Sequence, residues 1–300
     1  MMSNYHIPVL LKESVDGLNI RPDGVYVDVT FGGGGHAREI LSRLGSKGRL
    51  IAFDQDKDAQ ANAIDDARFQ LIQQNFRYVK RFLRLYGYQK VDGILADFGV
   101  SSHQFDVADR GFSTRFEGVL DMRMNQESDF SAYELVNTYE QNRLAEILSN
   151  YGELRRAKGM ARAIVEAREQ KAIKTTADLK TALADFLPRD KQHKILAQVY
   201  QAIRIEVNNE LDTIKEFLMQ TVEILPKGGR LSVISYHSLE DRLVKRFMRN
   251  GMFEGEPERD IYGRVDVPYK PVGKLIVPAA EEMDANNRAR SAKLRIAEKI

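Results

Sequence analysis

The 300-residue sequence contains no cysteine. Disulfides, thiolate metal sites and a thiol nucleophile are thereby excluded, and a reducing, cytoplasmic compartment suits such a chain. Excess charge of either sign is also missing: 45 Lys and Arg face 43 Asp and Glu, a formal net charge of +2. That balance alone makes no case for nucleic acid. No apolar run approaches the ~20 residues needed to cross a bilayer, so no membrane is expected. Met1 to Leu11 lack a basic segment followed by a long apolar one and do not read as a signal peptide. Internal repeats and low-complexity tracts are absent too. What is present, 43% hydrophobic and 29% charged residues, is the composition of a chain that buries a core, long enough for one large domain or two ordinary ones.

The first hundred residues alternate short apolar runs with helical patterns. Val25 to Val29, Arg49 to Phe53, Phe69 to Ile72 and Val91 to Ala96 read as four buried parallel strands. The second runs into Asp54 and the fourth into Asp97. Such alternation predicts a doubly wound α/β sheet. From about Phe105 to Ile205 the pattern is helical only. Ser131-x-x-Glu134 and Thr175-x-x-Asp178 have capping-box spacing. Leu144, Ile147 and Leu148 continue one apolar face; Leu179, Leu183 and Leu187 continue another, which Pro188 should end. The α/β signature then returns, with a helix over Leu211 to Leu225, a fifth strand over Arg230 to Ser235, a helix started by Ser238-x-x-Asp241, and a sixth strand over Lys274 to Val277. On propensity, Arg288 to Ala297 reads as a helix. The economical organisation is one α/β domain, residues 1–105 and 206–300, interrupted by a helical insertion over 106–205.

The segment Asp28-Val-Thr-Phe-Gly32-Gly33-Gly34-Gly35-His36-Ala37 joins the first strand to a helix. Glycines there permit a tight turn and close approach to a ligand, and the helix start offers unpaired N–H groups to its anionic part. Asp54, about twenty residues on, is placed to accept hydrogen bonds from ribose hydroxyls. Gly32-x-Gly34-x-x-Ala37 also satisfies the dinucleotide fingerprint, so this pattern leaves S-adenosylmethionine and NAD both open. No Gly-Lys-Ser/Thr follows, which excludes a P-loop. Asp54-x-Asp56-x-Asp58 imitates the start of a calcium loop, but Ala59 stands where glycine is required and Asp65 where glutamate is; no metal is expected. Asp97-Phe98-Gly99 imitates the kinase magnesium motif in the wrong order of elements.

Longer motifs are more specific. They run His6-Ile-Pro-Val-Leu-Leu; Asn75-Phe76-Arg77; Asp97-Phe-Gly-Val-Ser-Ser-His-Gln-Phe-Asp106; Arg110-Gly-Phe-Ser113; Leu120-Asp-Met-Arg-Met124; Gln201 to Glu210; Tyr236-His-Ser-Leu-Glu-Asp-Arg242; and Asn287 to Arg295. In this order, over nearly the whole chain, they resemble the small-subunit ribosomal RNA methyltransferase H family, also called MraW. The resemblance implies a class I, Rossmann-like S-adenosylmethionine methyltransferase sheet with a helical insertion that recognises substrate. It implies methyl transfer to the exocyclic N4 of one cytidine in the decoding region of 16S rRNA, within the small ribosomal subunit. A homodimer is a further candidate state. The implied cofactor positions fall on Gly33, Gly34, Gly35, His36, Asp54, Phe76, Asp97 and Gln104. The resemblance also makes the last two strands an antiparallel hairpin, against the helix that propensity gives to Arg288–Ala297. Four consecutive glycines, Ala37, Phe98 and His103 depart from the family's commoner residues.

Each candidate has a plain structural alternative. Phe76 could stack on adenine or belong to the core. Gln104 completes a Ser101-x-x-Gln104 capping spacing. The cytosine N4 lone pair is delocalised into the ring, so an acceptor near N4–H is wanted; Asp97 and His237 are the candidates, and His237 could equally be satisfied at a helix start. No Asp/Asn/Ser-Pro-Pro-aromatic tetrapeptide follows the fourth strand, so that mechanism does not transfer. Arg110, Arg115, Arg123, Arg288, Arg290, Lys293 and Arg295 are candidates for phosphate contact, each also compatible with an ordinary surface charge. Two rival functions stand beside the methyltransferase: a non-catalytic assembly factor that binds cofactor and RNA, and a small-molecule methyltransferase or dehydrogenase on the same sheet.

Overall fold

The computed structural model describes residues 8–258, 261–263 and 265–300. His6 and Ile7, which open the first motif, lie outside the described residues. The chain forms two compact units. One draws on both ends of the chain, up to Gly99 and from Leu211; the other is Val100–Glu210, set against the 106–205 expected for the insertion.

The strands are β1 (Val25–Asp28), β2 (Arg49–Asp54), β3 (Phe69–Gln73), β4 (Gly93–Asp97), β5 (Arg230–Ser235), β6 (Tyr269–Pro271) and β7 (Lys293–Lys299). The helices are α1 (Leu11–Asp16), α2 (Gly35–Arg43), α3 (Val79–Leu85), α4 (Ser102–Asp106), α5 (Ala132–Thr138), α6 (Gln141–Asn150), α7 (Ala157–Gln170), α8 (Thr176–Ala182), α9 (Gln192–Asn208), α10 (Glu210–Ile224), α11 (Ser238–Asn250) and α12 (Ala280–Ala285). All seven strands form one sheet in the order β3-β2-β1-β4-β5-β7-β6. β1 to β5 are mutually parallel, and β7 runs antiparallel to both β5 and β6. This is the α/β sheet predicted from the alternation. The order reverses at β1, and ligand crevices in such sheets open at the carboxyl ends of the strands at that switch point.

Both faces of the sheet are buried, and side chains alternate between them. Val27, Ile51, Phe53, Ile94, Ala96, Leu231 and Val233 join one core with Val79 and Leu83 of α3, Phe217 and Leu218 of α10, and Val244 and Phe247 of α11. Tyr26, Leu50, Ala52 and Leu95, their neighbours along the same strands, join a second core with Val15 of α1 and Ala37, Ile40 and Leu41 of α2. Near-continuous apolar strands follow from this double burial.

The Val100–Glu210 unit is helical and has its own core, in which Leu144, Ile147 and Leu148 of α6 meet Met160 and Ile164 of α7, Leu179 of α8 and Leu196, Val199 and Ile203 of α9. Three capping boxes set helix starts: Ser101 with Gln104, Ser131 with Glu134, and Thr175 with Asp178. In each, the cap side chain accepts from the first turn while the third residue reaches back to the cap N–H. Pro188 does not end the second apolar helix as expected. α8 stops at Ala182, Leu183 leaves helical geometry, and a 3-10 turn over Ala184–Phe186 precedes the proline.

The C-terminal region also differs from the sequence expectation. Arg288–Ala297 is not helical: a short 3-10 turn, Asn287–Ser291, leads into β7. Pairing with β5 along its whole length overrides local helix propensity there. The sixth strand is Tyr269–Pro271 rather than Lys274–Val277; Ile276 contributes only a single antiparallel bridge to Leu294. β6 and β7 are antiparallel neighbours, as the family resemblance implies, but a long excursion containing α12 separates them.

Candidate functional site

The glycine loop is carried across the carboxyl edge by the strands beside it. Val29 donates from its amide to the Leu95 carbonyl (3.0 Å) and Phe31 to that of Phe53 (2.9 Å). Gly32 and Gly34 then take φ of 50° and 75°, the left-handed region that glycine enters without a Cβ penalty. The loop is pinned on several sides. The Gly32 amide donates to Asp54 Oδ2 (2.8 Å), Asn62 Nδ2 donates to the Gly32 carbonyl (3.0 Å), and Arg38 Nη1 donates to that of Gly33 (2.7 Å). A Cβ at Gly35 would stand 2.2 Å from Pro8 Cγ, whereas one at Gly33 would meet nothing within 4 Å. The loop is thus packed against protein on one side and open at Gly33. α2 begins directly after it and offers its first amides.

Asp54 ends β2, and its other oxygen, Oδ1, accepts from the Asp56 amide (2.8 Å). The Asp54-x-Asp56-x-Asp58 pattern therefore has a local use: Asp56 in turn caps a 3-10 turn by accepting from the Asp58 amide (3.1 Å).

Asp28 and Asp97 end β1 and β4, the two strands at the switch point. Asp28 is fully buried; Oδ1 accepts from the Thr30 amide (3.1 Å), and Oδ2 has no hydrogen-bond partner. Burial raises its pKa to about 7, with the Asp54 charge adding to the rise and the Thr30 bond opposing it. Asp97 Oδ1 accepts from the Tyr236 hydroxyl (2.8 Å), and its amide donates to Thr30 Oγ1 (2.7 Å). Burial again raises the carboxyl to about 7; the Tyr236 bond opposes this, and the charges of Asp28 and Glu240 add to it. His36 Nδ1 lies 3.9 Å from Asp97 Oδ2. Burial lowers that imidazole to about 4, against the opposing effect of the Val9 backbone, so it is neutral at pH 7 and forms no ion pair with Asp97.

The remaining candidates have local partners. Phe76 stacks on Phe98 at 5.7 Å and meets Phe217 edge-on at 5.3 Å. It is half-buried against the core, so one part of the ring stays outside. His237, not Ser238, is the N-cap of α11: its Nδ1 accepts from the Glu240 amide, and its Nε2 lies 3.1 Å from Glu240 Oε1. Gln104 belongs to the helical unit, where its Oε1 accepts from the Ser101 amide (3.1 Å). The other six cofactor candidates in addition to Phe76, namely Gly33 to His36, Asp54 and Asp97, share the carboxyl edge of the sheet unit.

Asp28 and Tyr236 were not singled out from the sequence. Asp28 read as the end of a strand, and nothing local marks its second oxygen as orphaned. Tyr236 becomes visible only through register: Asp97 is level with Ile234 across the β4–β5 ladder, which puts Tyr236 two residues beyond the same edge.

Several arginines proposed for phosphate contact have structural partners instead. Arg110 is buried, with Nη2 on the Arg123 carbonyl (2.9 Å), and Arg123 forks onto Asp121 (2.7 and 3.0 Å). Arg295 and Lys293 both reach Asp241 of α11, at 2.7 and 3.3 Å. Arg115 and Arg290 are exposed.

Residues 3–300 match the model of the MraW methylase family. The chain belongs to that family. It is 67% identical over 290 residues to the Ribosomal RNA small subunit methyltransferase H of Flavobacterium psychrophilum, covering 97% of this chain and 100% of that one. It is 66% identical over 296 residues to the protein of the same name from Flavobacterium johnsoniae, covering 99% and 98%. An rRNA methylase structure from Streptococcus thermophilus overlays with a TM-score of 0.44 at 12% identity, covering 98% of this chain and 99% of that one. Family membership makes the chain an S-adenosylmethionine-dependent methyltransferase. The edge just described fits such a donor. It has an open glycine backbone at Gly33, an orphaned buried acceptor at Asp28, and several carboxylates that raise one another's proton affinity where a cationic ligand would be welcome. Among the described residues no helix is long and apolar enough to cross a membrane.

Proposed function

We propose that the protein transfers a methyl group to the exocyclic N4 of a cytidine in the decoding region of 16S rRNA, acting on the small ribosomal subunit in the cytoplasm. The names of its relatives supply the substrate class. The observation that carries the chemistry is Asp97, a carboxylate at the end of β4 whose proton affinity is set near neutrality.

When bound, S-adenosylmethionine supplies an electrophilic methyl carbon on a cationic sulfur. In this reading the Gly33–Gly35 backbone and His36 hold its amino-acid part, Asp54 accepts from its ribose hydroxyls and the outer part of Phe76 covers its adenine. Asp28 and Asp97 make the edge anionic, which favours a cationic donor. The amino group to be methylated is a weak nucleophile because its lone pair is shared with the ring. An acceptor for N4–H localises that pair and takes the proton, and a carboxylate with a pKa near working pH suits the task. Asp97 fills this role better than His237, whose two nitrogens both face Glu240 across the α11 cap. Placing N4 about 3–3.5 Å from the methyl carbon and in line supplies much of the remaining rate. A paired cytidine hides N4, so the base must be single-stranded or flipped out, and the helical unit is the element proposed to present it.

The test is incubation with labelled donor and 30S particles lacking the modification, followed by nucleoside mass spectrometry. One N4-methylcytidine per particle is expected. Binding without incorporation would instead identify an assembly factor, and methylation at C5 or ribose would remove the N4 assignment. Asp97→Asn separates the two roles of that residue: loss of donor affinity marks a binding role, and a lost pH limb in kcat marks an acceptor.

A further inference from the structure

One strongly charged surface of the sheet unit has no part in the site above. A helix that follows a parallel strand starts at that strand's carboxyl end, so α3 begins at the edge that carries the donor site and runs away from it. The helix and its flanks, from Arg77 and Tyr78 before it through Lys80, Arg81 and Arg84 to Tyr86 and Lys90 after it, interleave cations with aromatics. Arg77, Tyr78, Lys80, Arg81 and Arg84 line one surface cavity of about 380 Å³, together with Gln220 of α10. A second, of about 660 Å³, shares Arg84 and adds Lys90.

The cavity wall is built rather than loose. Gln220 accepts from the Lys80 amide (3.0 Å) and donates to the Arg77 carbonyl (2.7 Å), which fixes the start of α3. Arg77 is held in a fork by Glu216, with its guanidinium 5.6 Å from the Tyr78 ring centre, and Lys80 pairs with Glu223. The guanidinium groups of Arg81 and Arg84 are exposed and make no hydrogen bond or close ion pair among the described residues, Arg84 acting on Glu223 only through its charge. Three carboxylates, Glu216, Glu223 and Asp212, thus answer five cations, a local excess of +2 that equals the formal charge of the entire protein. Tyr78, 42% exposed, lines the cavity with the Arg77 guanidinium on its ring, and Tyr86, 46% exposed, follows the end of α3.

We infer that this face is an RNA-docking surface that tracks the phosphate backbone of the substrate outward from the donor site, with Arg81 and Arg84 as its phosphate contacts and the tyrosines as stacking platforms. The inference rests on the rRNA reading of the preceding section. Unpaired, forked cations match phosphate oxygens, and alternating basic and aromatic side chains are what single-stranded RNA is held by. The overall charge conceals this, because it averages the patch over the whole surface.

The test compares wild type with Arg81→Gln/Arg84→Gln, binding transcribed 16S rRNA and 30S particles across a salt series. Each phosphate contact contributes about 0.7–0.9 to the slope of log K against log salt, so the double variant should lose about 1.4–1.8 from that slope while donor affinity stays unchanged. Arg81→Lys/Arg84→Lys should keep the slope, because the point charges remain. An unchanged slope in the double Gln variant, beside a wild type that binds and methylates, overturns this surface alone. A wild type that binds no rRNA overturns both this surface and the proposed substrate. Weakened binding to particles with unchanged binding to naked transcript assigns the face to a ribosomal protein and overturns the RNA reading.

Discussion

The two units of this chain handle polar groups in opposite ways. In the helical unit many are matched locally: three capping boxes close over four residues each, and Arg123 forks onto Asp121 two residues away. In the sheet unit, at the switch point, part-buried Asp97 is met by Tyr236 from 139 residues away, and fully buried Asp28 keeps one oxygen, Oδ2, without a partner. An unpartnered buried acceptor costs about 1–3 kcal/mol, a cost that the proposed donor site would explain at Asp28.

The largest expected effect lies on the sheet side. Gly34→Val should abolish donor binding by calorimetry, because φ is 75° and a Cβ would come within 2.7 Å of Arg38 and 2.9 Å of the Phe31 ring. Asp54→Ala should do the same, by removing the acceptor that pins the Gly32 amide together with the proposed ribose contacts; tight binding by both variants would show that the site is misplaced. In the helical unit, Leu148→Ala should cost about 2–5 kcal/mol in urea unfolding, as deletion of a fully packed side chain does.

A pH series sharpens the comparison. Between about pH 4 and 6.5 the unfolded chain has Asp28 and Asp97 ionised and His36 protonated, while the folded sheet unit keeps both carboxyls protonated and His36 neutral. The raised carboxyls contribute stability that is lost as pH rises towards about 7; the lowered imidazole contributes stability that is lost as pH falls towards about 4. The native state holds one more proton net, so stability from these groups falls as pH rises, by at most about 1.4 kcal/mol per unit. Asp97→Asn removes one proton from that balance and should gain on wild type across the window; parallel curves would contradict the assignment. The smallest effect, about 1 kcal/mol without change in pH slope, is expected for Thr175→Ala at its capping box.

What could be read in the sequence follows the same division. The capping boxes at Ser131 and Thr175 and the strand–helix alternation up to Asp97 are local signals, and both appear where expected. β7 was not legible from propensity because its conformation comes from β5, some sixty residues earlier. The positions of candidates marked by a turn or a strand end, the glycine loop and Asp54, could be read in advance: they lie at the ends of β1 and β2. The Tyr236–Asp97 contact could not, since it depends on the register of β5 against β4. The cap at His237 rather than Ser238 was missed because histidine is an uncommon helix cap and serine a favoured one.

The position of β7 also bears on how the protein is made. The last residues of the chain form an interior strand, clamped between β5 and β6. During synthesis β5 emerges well before its neighbour exists, and its open ladder is an invitation to pair with any extended segment nearby. A break or deletion within Lys293–Lys299 would therefore uncover two ladders at once, leaving β5 open to pair with another chain and β6 without its neighbour.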